Sequence, residues 1–134
     1  MIKIEHIGIA VKDCSSTITL YEKLFNTNCY KTEVVVSENV NTAFFKVGDS
    51  KIELLESKTE DGVIAKFIEK KGEGIHHIAF LVEDIYQEIE RLKAEGFTMI
   101  HENPKPGADN KLVAFLQPKT TNSVLIEICQ ERKD

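Results

Sequence analysis

Apolar and polar positions alternate from residue 2 to residue 11, which predicts a strand. Ile7, Ile9 and Val11 fall on one face, and Ile4, His6, Gly8 and Ala10 on the other. The period then changes. Asp13 is placed to cap a helix over residues 14–25, with Ile18, Tyr21 and Phe25 on one side. Residues 29–36 are rich in β-branched and aromatic types and predict a second strand. Further strands are expected over 42–47 and 51–56, joined by the hairpin signal Gly48-Asp49. In the last of these Ile52 and Leu54 face inward and Glu53 faces the other way. Residues 63–70 carry the stripe Ile64, Phe67, Ile68 of a short amphipathic helix, which Gly72 stops.

The order then repeats. A strand over 75–82 precedes a helix opened by Asp84 with Gln87 and striped by Ile85, Ile89 and Leu92. Gly96 ends it. Strands are expected over 97–101, 112–116 and 124–129, with a loop over 103–110. The two passages align residue by residue: His6 with His77, Gly8 with Ala79, Asp13 with Asp84 and Ala43 with Ala114, each pair 71 positions apart. Glu53 and Glu127 are 74 apart, so a small insertion lies in the last hairpin. A repeat of this length fixes the architecture before any single element does. The expectation is one α+β domain over residues 1–134 with two tandem βαβββ modules. The first covers about 1–58 and the second about 75–134, with a linker helix at about 63–71.

Composition narrows the function. The chain has 134 residues, 42% hydrophobic and 29% charged, which excludes a disordered chain. The formal net charge of −5 without a basic cluster speaks against a nucleic-acid partner. No apolar run is long enough for a membrane span, and no signal-peptide pattern opens the chain. Cys14, Cys29 and Cys129 have no metal-finger spacing and read as free thiols of a reducing, cytoplasmic setting.

The repeat singles out four residues. His6 and Glu53 come from the first module, His77 and Glu127 from the second. Each is expected on the strand face away from the apolar one. If the modules pair about a pseudo-twofold axis, the four converge in one cleft. Two imidazoles and two carboxylates suit an octahedral divalent ion with two positions left open. A lone histidine on a strand is more often structural; the duplication is what favours a ligand. His76 falls on the other face, as a partly buried histidine. His101 has no counterpart, and Cys129 is expected to pack.

The passages HIGIAV and HHIAF, in paired modules, resemble the vicinal oxygen chelate superfamily (glyoxalase, bleomycin resistance and dioxygenase proteins). Within it, IAKFIEKKGEGIHHIAFLVEDI over residues 64–85, with KIELLE, FLQPK and VLIEIC, resembles the methylmalonyl-CoA epimerases. The resemblance implies a glyoxalase-like fold with a cleft-shaped mixed sheet, and a divalent metal held by His6, Glu53, His77 and Glu127. The ion is cobalt first, with manganese, nickel, zinc or magnesium as alternatives. The substrate it implies is an acyl-CoA thioester, and the assembly a homodimer. The chain departs from the family pattern at Gln117, where FLHPK usually has histidine, and at Asn122-Ser123. It also lacks the third-strand acid that some epimerases carry near the position of Thr42.

The reaction implied interconverts the (R) and (S) forms of methylmalonyl-CoA through α-proton abstraction and a metal-stabilised enolate. Glu53 and Glu127 are assigned a double role, ligand and proton carrier. Lys105, Lys111 and Lys119 lie on loops that could reach phosphates, although each reads first as a solvated lysine. Two alternatives remain open: a glyoxalase I (lactoylglutathione lyase), and a non-catalytic member of the superfamily that binds a small ligand.

Overall fold

The computed structural model describes residues 1–132. Residues 133 and 134, which close the expected second module, lie outside them. The chain forms two compact units, one of His6–His76 and the other of Met1–Glu5 with the chain from His77 onward.

The unit of residues 6–76 contains β1 (Lys3–Ala10, from His6), α1 (Cys14–Phe25), β2 (Lys31–Val35), β3 (Val40–Val47), β4 (Ser50–Ser57) and α2 (Val63–Lys71). Its strands run in the order β2-β3-β4-β1. The β1/β4 pair is parallel, with Gly8 against Glu53, and the other two pairs are antiparallel. The mixture follows from connectivity: α1 and a hairpin separate β1 from β4, whereas Gly48-Asp49 turns β3 directly into β4. Gly48 takes φ 60°, which that tight turn requires. Asp13 caps α1 by accepting the Ser15 N–H at 3.2 Å. The helix buries its stripe on the sheet. Val11, Cys14, Ala43, Phe45 and Leu54 form the core there, with Ile18, Tyr21 and Phe25 packed against it. Asn26 at φ 52° ends the helix.

The second unit repeats the plan with β5 (Gly74–Leu81, from His77), α3 (Ile85–Ala94), β6 (Lys105–Gly107), β7 (Lys111–Phe115) and β8 (Ile126–Glu131). The order is β5-β8-β7-β6, again with one parallel pair, β5/β8. Asp84 caps α3 through the Gln87 N–H at 3.1 Å. Val82, Ile85, Ile89, Leu92, Met99, Ala114, Leu116 and Ile128 make the core between α3 and the sheet. The Ile2 N–H donates to the Leu81 carbonyl at 2.8 Å, which ties the N-terminal residues into this unit.

Two expectations about the second module need correcting. Residues 97–101 are not a strand; Met99 makes one isolated bridge with Leu116. The loop expected over 103–110 contains β6. The apolar alternation through Met99 is real, since Met99 is buried, and the Ile100 N–H still reaches the Phe115 carbonyl at 2.8 Å. The pairing is not carried further, and the chain returns to pair with β7 only at Lys105–Gly107. Pro106 has no N–H, and it is tolerated because β6 is an edge strand.

Candidate metal centre

In each unit one sheet face is taken by a helix, and the opposite face carries the candidate ligands. On β1 and β4 the alternation puts His6, Gly8 and Ala10 beside Glu53 and Leu55, away from α1. His6 and Glu53 are 6% and 4% exposed. The His6 Nε2 lies 3.3 Å from the Glu53 Oε1. On β5 and β8 the same alternation gives His77, Ala79 and Leu81 beside Glu127 and Cys129. His77 and Glu127 are each 4% exposed, and Nε2 again lies 3.3 Å from Oε1. The Phe115 ring meets the His77 ring edge to face at 5.8 Å.

Two buried His–Glu pairs with one geometry at equivalent places in a repeat are unlike ordinary core polar groups. Taking charge out of water is costly unless it is paired or holds a metal. Two donors bound at roughly 2.0–2.2 Å to one octahedral ion stand about 3 Å apart. The spacing within each pair fits that separation, and so does the donor chemistry. Gly8 and Ala79 contribute no bulk in front of the imidazoles. On that face His6 is followed by Gly8 and Ala10 along β1, and His77 by Ala79 and then Leu81 along β5.

The other sequence candidates separate cleanly. His76 lies on the opposite face of β5, edge-on to Phe67 at 4.9 Å. Burial, with Lys71 nearby, pushes its pKa down to about 4, so it is a neutral, packed imidazole. His101 is exposed. Cys129 is fully buried, and its thiol donates to the Phe80 carbonyl at 3.6 Å. Burial first, then Glu127 and Glu5, push that thiol up, so it stays protonated. Thr42, near the place of the third-strand acid of some epimerases, is buried and donates its hydroxyl to the Glu33 carbonyl at 2.7 Å.

Lys111 corrects an expectation. It is not a solvated loop lysine but 3% exposed, with Nζ 3.3 Å from Glu131 and 3.5 Å from Asp109. It is occupied in holding the hairpin loop to β8. Its parity with Val113 and Phe115 was the signal in the sequence. Glu5, 2% exposed, was missed as well. It sits in an alternating strand where its neighbours draw attention first.

The sequence model of the Glyoxalase/Bleomycin resistance protein/Dioxygenase superfamily matches residues 5–115. The uncharacterized protein YqjC of Bacillus subtilis is 38% identical over 134 residues, which is 100% of this chain and 96% of that one. The mitochondrial methylmalonyl-CoA epimerase of Dictyostelium discoideum is 35% identical over 127 residues, covering 94% of this chain and 76% of its own. Among solved structures, a variant of the Streptomyces coelicolor methylmalonyl-CoA epimerase in complex with 2-nitronate-propionyl-CoA superposes with a TM-score of 0.94. The two are 31% identical, over 98% of this chain and 95% of the other.

Proposed function

The chain belongs to the methylmalonyl-CoA epimerase family of the glyoxalase/bleomycin resistance/dioxygenase superfamily, an isomerase by that membership, and we propose that it epimerises methylmalonyl-CoA with a divalent ion held by His6, Glu53, His77 and Glu127. The observation that carries this reading is the pair of buried His–Glu couples, each at 3.3 Å and at matching positions of the repeat. His6, His77 and Glu127 are residue types that hold metals together.

The α-hydrogen of the substrate lies between a carboxylate and a thioester, so its loss leaves an enolate. A bound divalent cation supplies charge stabilisation to that enolate oxygen. The protein's own part is to position and to move the proton. Inversion needs a proton taken from one side and returned on the other. Glu53 and Glu127 are carboxylates on different modules, and each is assigned a proton as well as a ligand role. Both are buried, so a proton moved there is kept from bulk water. Cobalt is the first expectation for the ion. A pair of chains is the expected assembly, and sedimentation at micromolar concentration giving only a ~15 kDa species would count against it.

Metal analysis after purification separates ligand from neighbour. His77→Ala should lose most of the ion and His76→Ala should keep it; equal losses would overturn the choice between the adjacent histidines. Proton exchange in deuterated water tests the second role. Glu127→Gln should keep metal, lose 10²–10⁴-fold in turnover, and stop exchange from one enantiomer. Near wild-type epimerisation by a metal-loaded Glu127→Gln protein would remove that residue from proton transfer.

A further inference from the structure

The face of the first unit that carries His6 and Glu53 also carries three lysines. Registers across the strands place them. Lys46 on β3 is paired with Lys51 on β4, and Lys51 is paired with His6 on β1. Lys31 on β2 is paired with Phe44 on β3, and Phe44 with Glu53 on β4. Paired residues share a face, so Lys31, Lys46 and Lys51 lie on the ligand side, in the rows of the two candidate ligands. Lys46 is exposed, and Lys31 and Lys51 are half-buried.

We propose that Lys31, Lys46 and Lys51 receive the phosphate groups of the coenzyme A portion of the substrate. The proposal rests on the acyl-CoA reading above and goes beyond it by saying which side chains of this chain hold the far end of the molecule.

Three observations carry it. Lys46 and Lys51 are directly opposite each other on neighbouring strands, where like charges oppose pairing. A dianion laid across them meets two cations at once. The feature is also absent from the repeat. The counterpart of Lys46, 71 positions on, is Gln117, and the counterpart of Lys51, 74 positions on, is Leu125. The lysines are therefore no part of what two such modules need in order to fold. The distances fit as well. Two strand spacings put the backbones of Lys31 and Lys46 about 10 Å from those of Glu53 and His6, before either side chain extends. The arm between thioester and pyrophosphate in coenzyme A is on the order of 15 Å, the reach of four or five extended residues.

Lys31 is already shaped for the task. Its Nζ lies 5.7 Å from the Phe44 ring centroid and 3.3 Å from the Glu33 carboxylate, which hold the stem along the sheet. Lys111 is excluded because it is buried, 3% exposed, between Asp109 and Glu131. Lys105 is the rival, since it stands on the equivalent face of the second unit, in register with Val113.

Calorimetry with free coenzyme A at low salt tests this without requiring turnover. Lys46→Gln and Lys51→Gln should each weaken binding about tenfold, as the loss of a charge-assisted hydrogen bond does, and Lys51→Arg should restore most of it. Pantetheine, which has no phosphate, should bind wild type and variants alike. Unchanged coenzyme A affinity in both variants would overturn the proposal. So would an equal loss for pantetheine, or a loss confined to Lys105→Gln. Wild-type protein that binds no coenzyme A would overturn the proposal and the acyl-CoA reading together. Lysine-dependent binding of coenzyme A without epimerisation of methylmalonyl-CoA would support the proposal and sink the epimerase reading alone.

Discussion

A thiol shows what burial does to chemistry at the scale of one residue. Cys14 is buried at the start of α1, and its pKa is pushed up to about 11, first by burial and then by Glu56, Cys29 and Asp13. The unfolded chain releases that proton near pH 9, so between about 9 and 11 the folded protein binds more protons than the unfolded one. Stability from this group is complete below pH 9 and falls as pH rises. Denaturant titrations across that window should show the decline, and Cys14→Ala should flatten it. Alkylation at pH 8 should mark Cys29, which is only half-buried, well before Cys14 or Cys129. Peptide mapping that finds Cys14 labelled first would contradict its packing. At this scale the two buried His–Glu pairs were legible, because a repeat marks equivalent positions whatever surrounds them. Lys111 was not, since its burial depends on Glu131 and Asp109 closing over it from another strand and a turn.

The helices show how the duplication is kept at the scale of elements. The Cys14 N–H, at the head of α1, donates to the Glu56 carboxylate at 2.9 Å, and the Ile85 N–H, at the head of α3, donates to the Gln130 amide oxygen at 2.7 Å. In both modules the end of the strand parallel to the first one satisfies a free N–H of the first helical turn. Glu56 also accepts from the Asn41 side chain at 2.9 Å. Glu56→Ala should therefore cost about 1–3 kcal/mol in chemical denaturation, with two donors left over. Glu56→Gln should cost less, because the other module already uses glutamine. Helix starts were readable from Asp13 and Asp84, since capping is local chemistry. The course of residues 97–107 was not. Alternation of apolar residues there reports the burial of Phe97 and Met99 against α3, not the presence of a paired strand.

Met1–Glu5 grouped with the chain from His77 onward is a property of the whole molecule. The internal repeat makes two modules legible, but it contains no information about which partner the first few residues choose. That choice is long-range and is made by the Ile2–Leu81 hydrogen bond and the burial of Glu5. Removing residues 1–5 should lower the melting temperature by several degrees, because it strips backbone pairing from β5; an unchanged thermal transition would show that those residues are ornamental. The same arrangement has a consequence in time. Leu81 follows Ile2 by 79 positions (81 − 2), so at roughly 5–20 residues per second a ribosome presents the first residues some seconds before their partner exists. For that interval the opening segment, with Ile2 and Ile4, is a strand waiting for an edge. Whatever else offers one in a crowded polysome, a neighbouring nascent copy included, competes for it.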